Sequence, residues 1–276
     1  MVASRFLRQS VLVLSLSLIA AVVFAQGQPA SSEFAPVEGQ AGKDVIWLPT
    51  SQSLVDKMLD LAKVTPQDFV IDLGSGDGRT VITAAKRGAR ALGIEYNPDM
   101  VEYSKRNAAK EGVSDKTQFM KADIFESDFS KATVITMFLL TDINIKLRPT
   151  ILNLKPGTRI VSNTFRMGEW EPDVTESVEA GRDCYNYCTA HLWIVPAKAE
   201  GTWKLSQGQL VLKQTFQMVS GTLNSGTPAE GKLRGEEISF TAGAAQYVGR
   251  VSGNTMQGTY TSGGTTGTWT ATRVGP

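Results

Sequence analysis

The stretch that decides the fold is Val70-Ile71-Asp72-Leu73-Gly74-Ser75-Gly76-Asp77-Gly78-Arg79. An apolar run ends in an acid, breaks into three alternating glycines, and gives way to a helical pattern from Val81 to Lys86 closed by Gly88. Glycines at such a turn can take positive φ and carry no Cβ, so a ligand can lie almost against the backbone N–H groups. The spacing separates two ligand classes. A loop that seats a pyrophosphate on a helix N-terminus reads Gly-x-Gly-x-x-Gly. Here the third glycine comes one residue early, and Asp72 stands two residues before the first.

A carboxylate at Asp72 would repel a pyrophosphate and suits a cofactor carrying a sulfonium and a free amino group, which is S-adenosylmethionine. Downstream, Ala91-Leu92-Gly93-Ile94-Glu95 is a second strand ending in an acid. An acid about 20 residues beyond the glycines, at the carboxyl end of the next strand, is placed to bind ribose hydroxyls. Asn97-Pro98-Asp99 opens a helix that Gly112 ends. Thr117 to Met120 reads as a third strand, Thr133 to Leu140 as a fourth, and Arg159 to Asn163 as a fifth; Ser53 to Ala62 reads as a helix capped by Thr50 or Ser51. Strand, loop and helix thus alternate, which predicts a doubly wound, mostly parallel α/β sheet. Thr175 to Ala180 and Ala190 to Val195 are expected to add an antiparallel hairpin.

The glycine stretch resembles the first motif of the class I S-adenosylmethionine-dependent methyltransferases, hydrophobic-hydrophobic-Asp-hydrophobic-Gly-x-Gly-x-Gly, at every position. The resemblance implies a Rossmann-like methyltransferase fold, with Asp72, Gly74, Ser75, Gly76, Gly78 and Glu95 around the cofactor. It further implies that Asp123 accepts from the adenine amino group while Ile124 covers the ring, and that the acceptor sits beyond the fourth strand, near Thr141, Asp142 and Asn144. Trp47-Leu48-Pro49-Thr50, Val55-x-x-Met58-Leu59-x-Leu61-Ala62 and the glycine loop together resemble bacterial methyltransferase-domain proteins and the mitochondrial protein-lysine methyltransferases that act on inner-membrane proteins. A protein lysine is therefore one acceptor the resemblance implies. The Asn-Pro-Pro-Tyr motif of enzymes that methylate nucleic-acid amino groups is absent, with Phe138-Leu139-Leu140-Thr141 in its place. No catalytic residue is singled out: Asp142, Glu169 and His191, the only histidine, are all candidates for a base, and His191 among apolar residues also reads as structural.

With 28 basic and 27 acidic side chains the chain offers no strong pull on nucleic acid. Cys184 and Cys188, with His191, fall short of a zinc ligand set, so no metal is expected. The two cysteines can close a disulfide in an oxidising compartment, although a four-residue offset often misaims the Cβ vectors. Arg5 and Arg8 precede an apolar run from Val11 to Phe24, and Val23-Phe24-Ala25 has the small residues of a cleavage site. Residues 1–25 therefore read as a signal peptide directing export to the periplasm or beyond, with no stable membrane span after cleavage and an anchor if uncleaved. Residues 26–43 read as a linker, 44–197 as the methyltransferase domain, and 198–276 as an antiparallel β domain. That last segment holds 14 of the 26 glycines and alternating runs at 210–217, 237–241, 246–251, 255–261 and 266–272. Gly201-Thr202-Trp203 and Gly267-Thr268-Trp269 frame it, as if first and last strands pair. Two other functions share these features: a non-catalytic exported binding protein, and an NAD(P)-dependent oxidoreductase.

Overall fold

In the computed structural model, residues 33–181 and 183–275 are described; the signal-peptide reading and the first part of the linker reading lie outside them. The glycine stretch forms the middle of a seven-stranded sheet. β1 (Phe69–Leu73) pairs in parallel with β2 (Arg90–Glu95) on one side and β4 (Val134–Met137) on the other. β3 (Thr117–Lys121) extends the sheet beyond β2, and β5 (Arg159–Asn163) lies beyond β4. The hairpin expected from the sequence is present: β7 (Thr189–Ile194) runs antiparallel to β5 and carries β6 (Val174–Ser177) at the edge. The order is β3-β2-β1-β4-β5-β7-β6, so the chain reverses direction across the sheet between β1 and β4. Ligands in open α/β sheets bind at the carboxyl ends of the strands at that switch point.

Central strands are apolar on both faces, as parallel strands between two helical layers must be. Val70, Val134 and Val161 pack under α1 (Gln52–Leu61), α2 (Arg79–Lys86) and α3 (Pro98–Lys110). Their neighbours Ile71, Ile135 and Ile160 face the other side, against α4 (Thr141–Ile151), Trp170 and Trp193. Ser51 caps α1 by accepting from the Leu54 N–H, and Asn97 caps α3 ahead of Pro98 at its first position. The fourth strand ends at Met137, three residues before its expected end at Leu140, because Phe138 to Leu140 lead directly into α4. That helix was not expected. Pro149 lies within it near its C-terminal end, where a proline removes one hydrogen bond from the last turn without preventing the helix.

Beyond Ile194 the chain forms a closed eight-stranded antiparallel barrel. Its strands are β8 (Gly201–Leu205), β9 (Gly208–Thr215), β10 (Met218–Leu223), β11 (Thr227–Arg234), β12 (Glu237–Ala242), β13 (Ala245–Ser252), β14 (Thr255–Ser262) and β15 (Thr265–Arg273). First and last strands do pair, in a register the framing tryptophans did not indicate: Trp203 stands opposite Arg273, and Trp269 opposite Gly258. Closure leaves no free edge. Alternate side chains fill the interior, where the Phe240 and Tyr247 rings stack at 4.6 Å and Trp269 meets both edge-on.

The barrel joins the sheet at the amino ends of the parallel strands. Gly235 in the β11–β12 turn abuts Gly157, just before β5, and its carbonyl accepts from the Ala197 N–H at 2.8 Å. Phe216 in the β9–β10 turn stacks on Trp170 at 6.0 Å under the Arg148 guanidinium, and Gln217 donates to the Glu171 carbonyl at 2.8 Å.

Candidate functional site

At the carboxyl ends of β1, β2 and β4 lies a cavity of about 480 Å³, a size suited to a nucleoside-type cofactor. All eight residues proposed for the cofactor except Gly78 line it, and no residue of the barrel does. Gly74, Gly76 and Gly78 take φ of 77°, 53° and 81°. The reason differs from the expected one. The loop's N–H groups are used within the protein: Gly74 and Ser75 donate to the Ile94 carbonyl, Gly76 to Glu95 Oε2 at 3.0 Å, and Gly78 to the Ser75 carbonyl. They are not free to cradle an anion. A Cβ on Gly76 would lie 2.5 Å from Trp47 Nε1, and one on Gly78 would lie 2.7 Å from the Phe119 ring. These glycines make room for the protein's own aromatic rings.

The register of β1 on β4 sets Asp72 beside Thr136, whose hydroxyl donates to Asp72 Oδ1 at 2.6 Å. Burial pushes the Asp72 carboxyl up to about 7; Asp77 and Glu95 nearby add to the rise, while the Thr136 bond opposes it. Glu95 ends β2 and spans the loop, with Oε2 on Gly76 and Oε1 accepting from the Asn97 N–H at 2.9 Å. Each of its oxygens keeps a second lone pair for a ligand hydroxyl. Ser75 Oγ is buried with no partner, pressed against Gly93. Asp123 follows β3 as expected, yet its Oδ2 accepts from Lys43 Nζ at 2.5 Å and its Oδ1 from the Phe125 N–H. The Lys43 bond, helped by the Phe125 N–H, holds the Asp123 carboxyl below its usual range.

Lys43 belongs to an element the sequence reading missed. Residues 39–47 double back through an Ala41–Ile46 bridge, with Gly39 donating to the Trp47 carbonyl and Trp47 to that of Gln40. Gln40 to Thr50 form one wall of the cavity, so the end of the stretch read as linker is built into the site. Arg79 donates to the Thr50 carbonyl at 2.8 Å and fixes this wall to α2. The signal was the apolar run Val45-Ile46-Trp47-Leu48, of which the sequence reading used Trp47 and Leu48 only for the family resemblance.

None of the three acids and bases proposed for proton transfer faces the cavity. Glu169 is exposed and paired with Arg148 at 2.8 Å, and Asp142 is exposed on the first turn of α4. His191 is buried, with Nε2 donating to the Thr164 carbonyl at 3.1 Å and Nδ1 accepting from Thr175 at 2.9 Å, and burial lowers its basicity. It is structural: it holds Thr164, a β-branched residue at φ 58°. Asn144 is likewise turned inward, donating to the Phe165 carbonyl at 3.1 Å. The part of the cavity beyond β4 is lined instead by Phe138, Leu140, Ile143, Phe165 and Tyr187.

Charge on the lining decides between cofactors. Asp44, Asp72, Asp77, Glu95 and Asp123 stand against Lys43 and Arg79. An acidic cavity whose glycine loop offers no free N–H cradle disfavours a pyrophosphate and fits a cation. This geometry sets aside the dinucleotide alternative.

Comparison with known proteins agrees. The model of the ANTKMT methyltransferase domain matches residues 72–174. A protein-lysine N-methyltransferase of Saccharolobus islandicus is 42% identical over 154 residues, 55% of this chain and 94% of that protein. The adenine nucleotide translocase lysine N-methyltransferase of Mus musculus is 31% identical over 46% of this chain and 56% of its own length. Among solved structures, an RNA methyltransferase of Salinibacter ruber, in complex with S-adenosyl-L-homocysteine, is 45% identical with a TM-score of 0.51, covering 55% of this chain and 95% of that one. The chain is a class I S-adenosylmethionine-dependent methyltransferase and belongs to this family. It is an enzyme, and its cofactor is S-adenosylmethionine.

Proposed function

We propose that this enzyme methylates the ε-amino group of a lysine in a protein acceptor, outside the cytoplasm. The observation that carries the acceptor class is the site's charge and surface. Five acidic side chains line the cavity against Lys43 and Arg79, with Asp72 only partly ionised near neutral pH, and the exposed apolar side chains of Ile46, Tyr96, Leu140 and Tyr187 line it too. Such a lining repels nucleic-acid phosphates and accepts an apolar stem bearing an amine. Two of the relatives named above are lysine methyltransferases, which supports the same class.

We assign Asp72, Gly74, Ser75, Gly76, Glu95, Asp123 and Ile124 to the cofactor, while Gly78, which does not line the cavity, shapes the loop against Phe119. Glu95 would hold ribose hydroxyls, and Asp72 would face the cationic end. Asp123 would meet adenine once Lys43 yields. When bound, the cofactor supplies a methyl group on a sulfonium, and the electron pair of the breaking bond stays on sulfur. The chain's own residues position the acceptor amine in line and exclude water. A lysine must shed its proton to expose a lone pair, and the apolar wall at Leu140 and Ile143 favours the neutral amine without a dedicated base.

The export reading rests on Arg5, Arg8 and the apolar run that follows, and the Cys184–Cys188 disulfide supports it, since such bonds persist in oxidising compartments. No helix among the described residues is long and apolar enough to cross a membrane. Incubation with methyl-tritiated S-adenosylmethionine and either poly-L-lysine or total RNA tests the acceptor. Label in lysine is expected; label in RNA alone refutes the reading.

A further inference from the structure

Three aromatic rings meet in the part of the cavity beyond β4. The Phe138 and Phe165 centroids are 6.0 Å apart, Tyr187 meets Phe138 edge-on at 5.3 Å, and Tyr187 lies 5.7 Å from Phe165. Phe138 follows β4 directly and Phe165 comes two residues after the end of β5, so the sheet places them. Tyr187 belongs to no helix or strand. It sits in the loop between β6 and β7, which the Cys184–Cys188 disulfide closes across a sequence separation of 4.

That loop is held from several directions. Val178 donates to the Cys188 carbonyl at 3.0 Å, and the Asp183 carboxylate accepts from the Ser53 N–H at 2.8 Å and the Ser53 hydroxyl at 2.5 Å, tying it to the start of α1. Thr164 donates to the Thr189 carbonyl at 2.7 Å, which couples the turn carrying Phe165 to the strand leaving the loop. Tyr187 has φ 60°, and Thr164 beside Phe165 has φ 58°. Non-glycine residues rarely adopt this backbone, and those that do cluster at ligand sites. Although 42% exposed, Tyr187 lines the cavity.

We propose that the disulfide-closed loop 184–188 is the third wall of the acceptor subsite, with Tyr187, Phe138 and Phe165 receiving the ε-nitrogen of the acceptor lysine. The chemistry fits the charge that moves. The amine enters neutral; its lone pair forms the N–C bond as the S–C bond breaks, and positive charge arrives on nitrogen. The negative faces of aromatic rings stabilise that charge as it develops, so the wall favours the transition state over the entering amine. Because Tyr187 is held by the disulfide, the subsite is complete only while the disulfide is closed.

This inference rests on the lysine reading above, and two measurements keep the two separable. The first is steady-state transfer of tritiated methyl to poly-L-lysine by the full chain. The second is line broadening of the methyl resonance of Nε-trimethyllysine amide, a product mimic, by protein saturated with S-adenosylhomocysteine. Four forms are compared with the wild type: protein reduced with a phosphine, Cys184→Ser/Cys188→Ser, Tyr187→Ala and Tyr187→Phe. In the first three, kcat/KM should fall about tenfold and the broadening should weaken about tenfold, the scale of one desolvated cation–π contact. S-adenosylhomocysteine affinity by calorimetry should stay within about twofold, and Tyr187→Phe, which keeps the ring, should behave as wild type. Transfer by Tyr187→Ala at the wild-type rate, an equal loss of cofactor affinity, or no broadening by wild type overturns the wall. Broadening without any transfer to poly-L-lysine leaves the wall standing and overturns the lysine reading.

Discussion

Replacing Asp72 by Asn should make the protein more stable and bind its cofactor less well. Asp72 is 6% exposed, and its carboxyl is raised from 3.8 to about 7. At roughly 1.4 kcal/mol per unit, ionising it inside the fold costs about 4 kcal/mol more than ionising it in the unfolded chain. The sign follows from the raised value. Below about pH 4 both states are protonated and nothing is lost; as pH climbs from 4 to 7 the unfolded chain gives up its proton first, and stability drains away until the folded group has ionised too. Asn keeps an acceptor for Thr136, and Thr80, beside Asp72, offers a hydroxyl to its amide. An imperfectly paired amide would take back about 1–2 kcal/mol, so the variant should gain about 2–3 kcal/mol at pH 8 and little near pH 4.5. Urea unfolding followed by tryptophan fluorescence at both pH values measures this. S-adenosylmethionine affinity should fall in the variant, and wild-type binding near pH 6.5 should release a proton, read from calorimetry in buffers of different ionisation enthalpy. A variant no more stable than wild type at pH 8, or equally stabilised at both pH values, would falsify the account of Asp72.

Gly76→Ala should cost about 2–4 kcal/mol, from a left-handed backbone and a Cβ driven into Trp47, and Trp47→Ala in the same chain should restore much of that stability. Purely additive losses in urea unfolding would show that Trp47 is not the cause. Glu95→Ala should weaken S-adenosylhomocysteine binding by about 1–3 kcal/mol, since it frees the Gly76 and Asn97 N–H groups as well as a ligand contact, and Asp123→Ala should cost less. Unchanged calorimetric affinity in both would return these acids to ordinary surface roles. A reporter active only outside the cytoplasm, fused after Pro276, should be active; a silent reporter on an intact fusion would rule out export.

The sheet was legible because parallel strands buried on both faces must be apolar almost throughout, and Val134 to Met137 obeys that rule, whereas Arg159 to Asn163 shows it only at Ile160 and Val161. The glycine loop was legible as a site and misleading as to cause. Nothing local tells that Trp47, 29 residues upstream of Gly76, fills the space the glycine leaves, or that Thr136 pairs with Asp72, because both depend on tertiary register. The aromatic acceptor wall draws one ring from each of three loops, so no single window contains it. In the barrel, β10 and β11 escaped notice because Gly221, Pro228 and Gly231 interrupt their alternation. Those glycines let neighbouring backbones close up: a Cβ on Gly231 would run into the Ser239 carbonyl.

The pairing of β15 with β8 makes the barrel a cassette whose entrance and exit stand side by side. Arg273 donates to the carbonyls of Lys198 and Glu200, so the chain leaves the barrel where it came in. The Saccharolobus relative, nearly all of which is matched by 154 residues, shows that a methyltransferase of this family can exist without such a cassette. Excision of 198–276 would leave the catalytic cavity's lining whole. What it would uncover is the face of Trp170 now shielded by Phe216, an apolar scar on the underside of the sheet. A shortened enzyme should therefore aggregate more readily than the full chain.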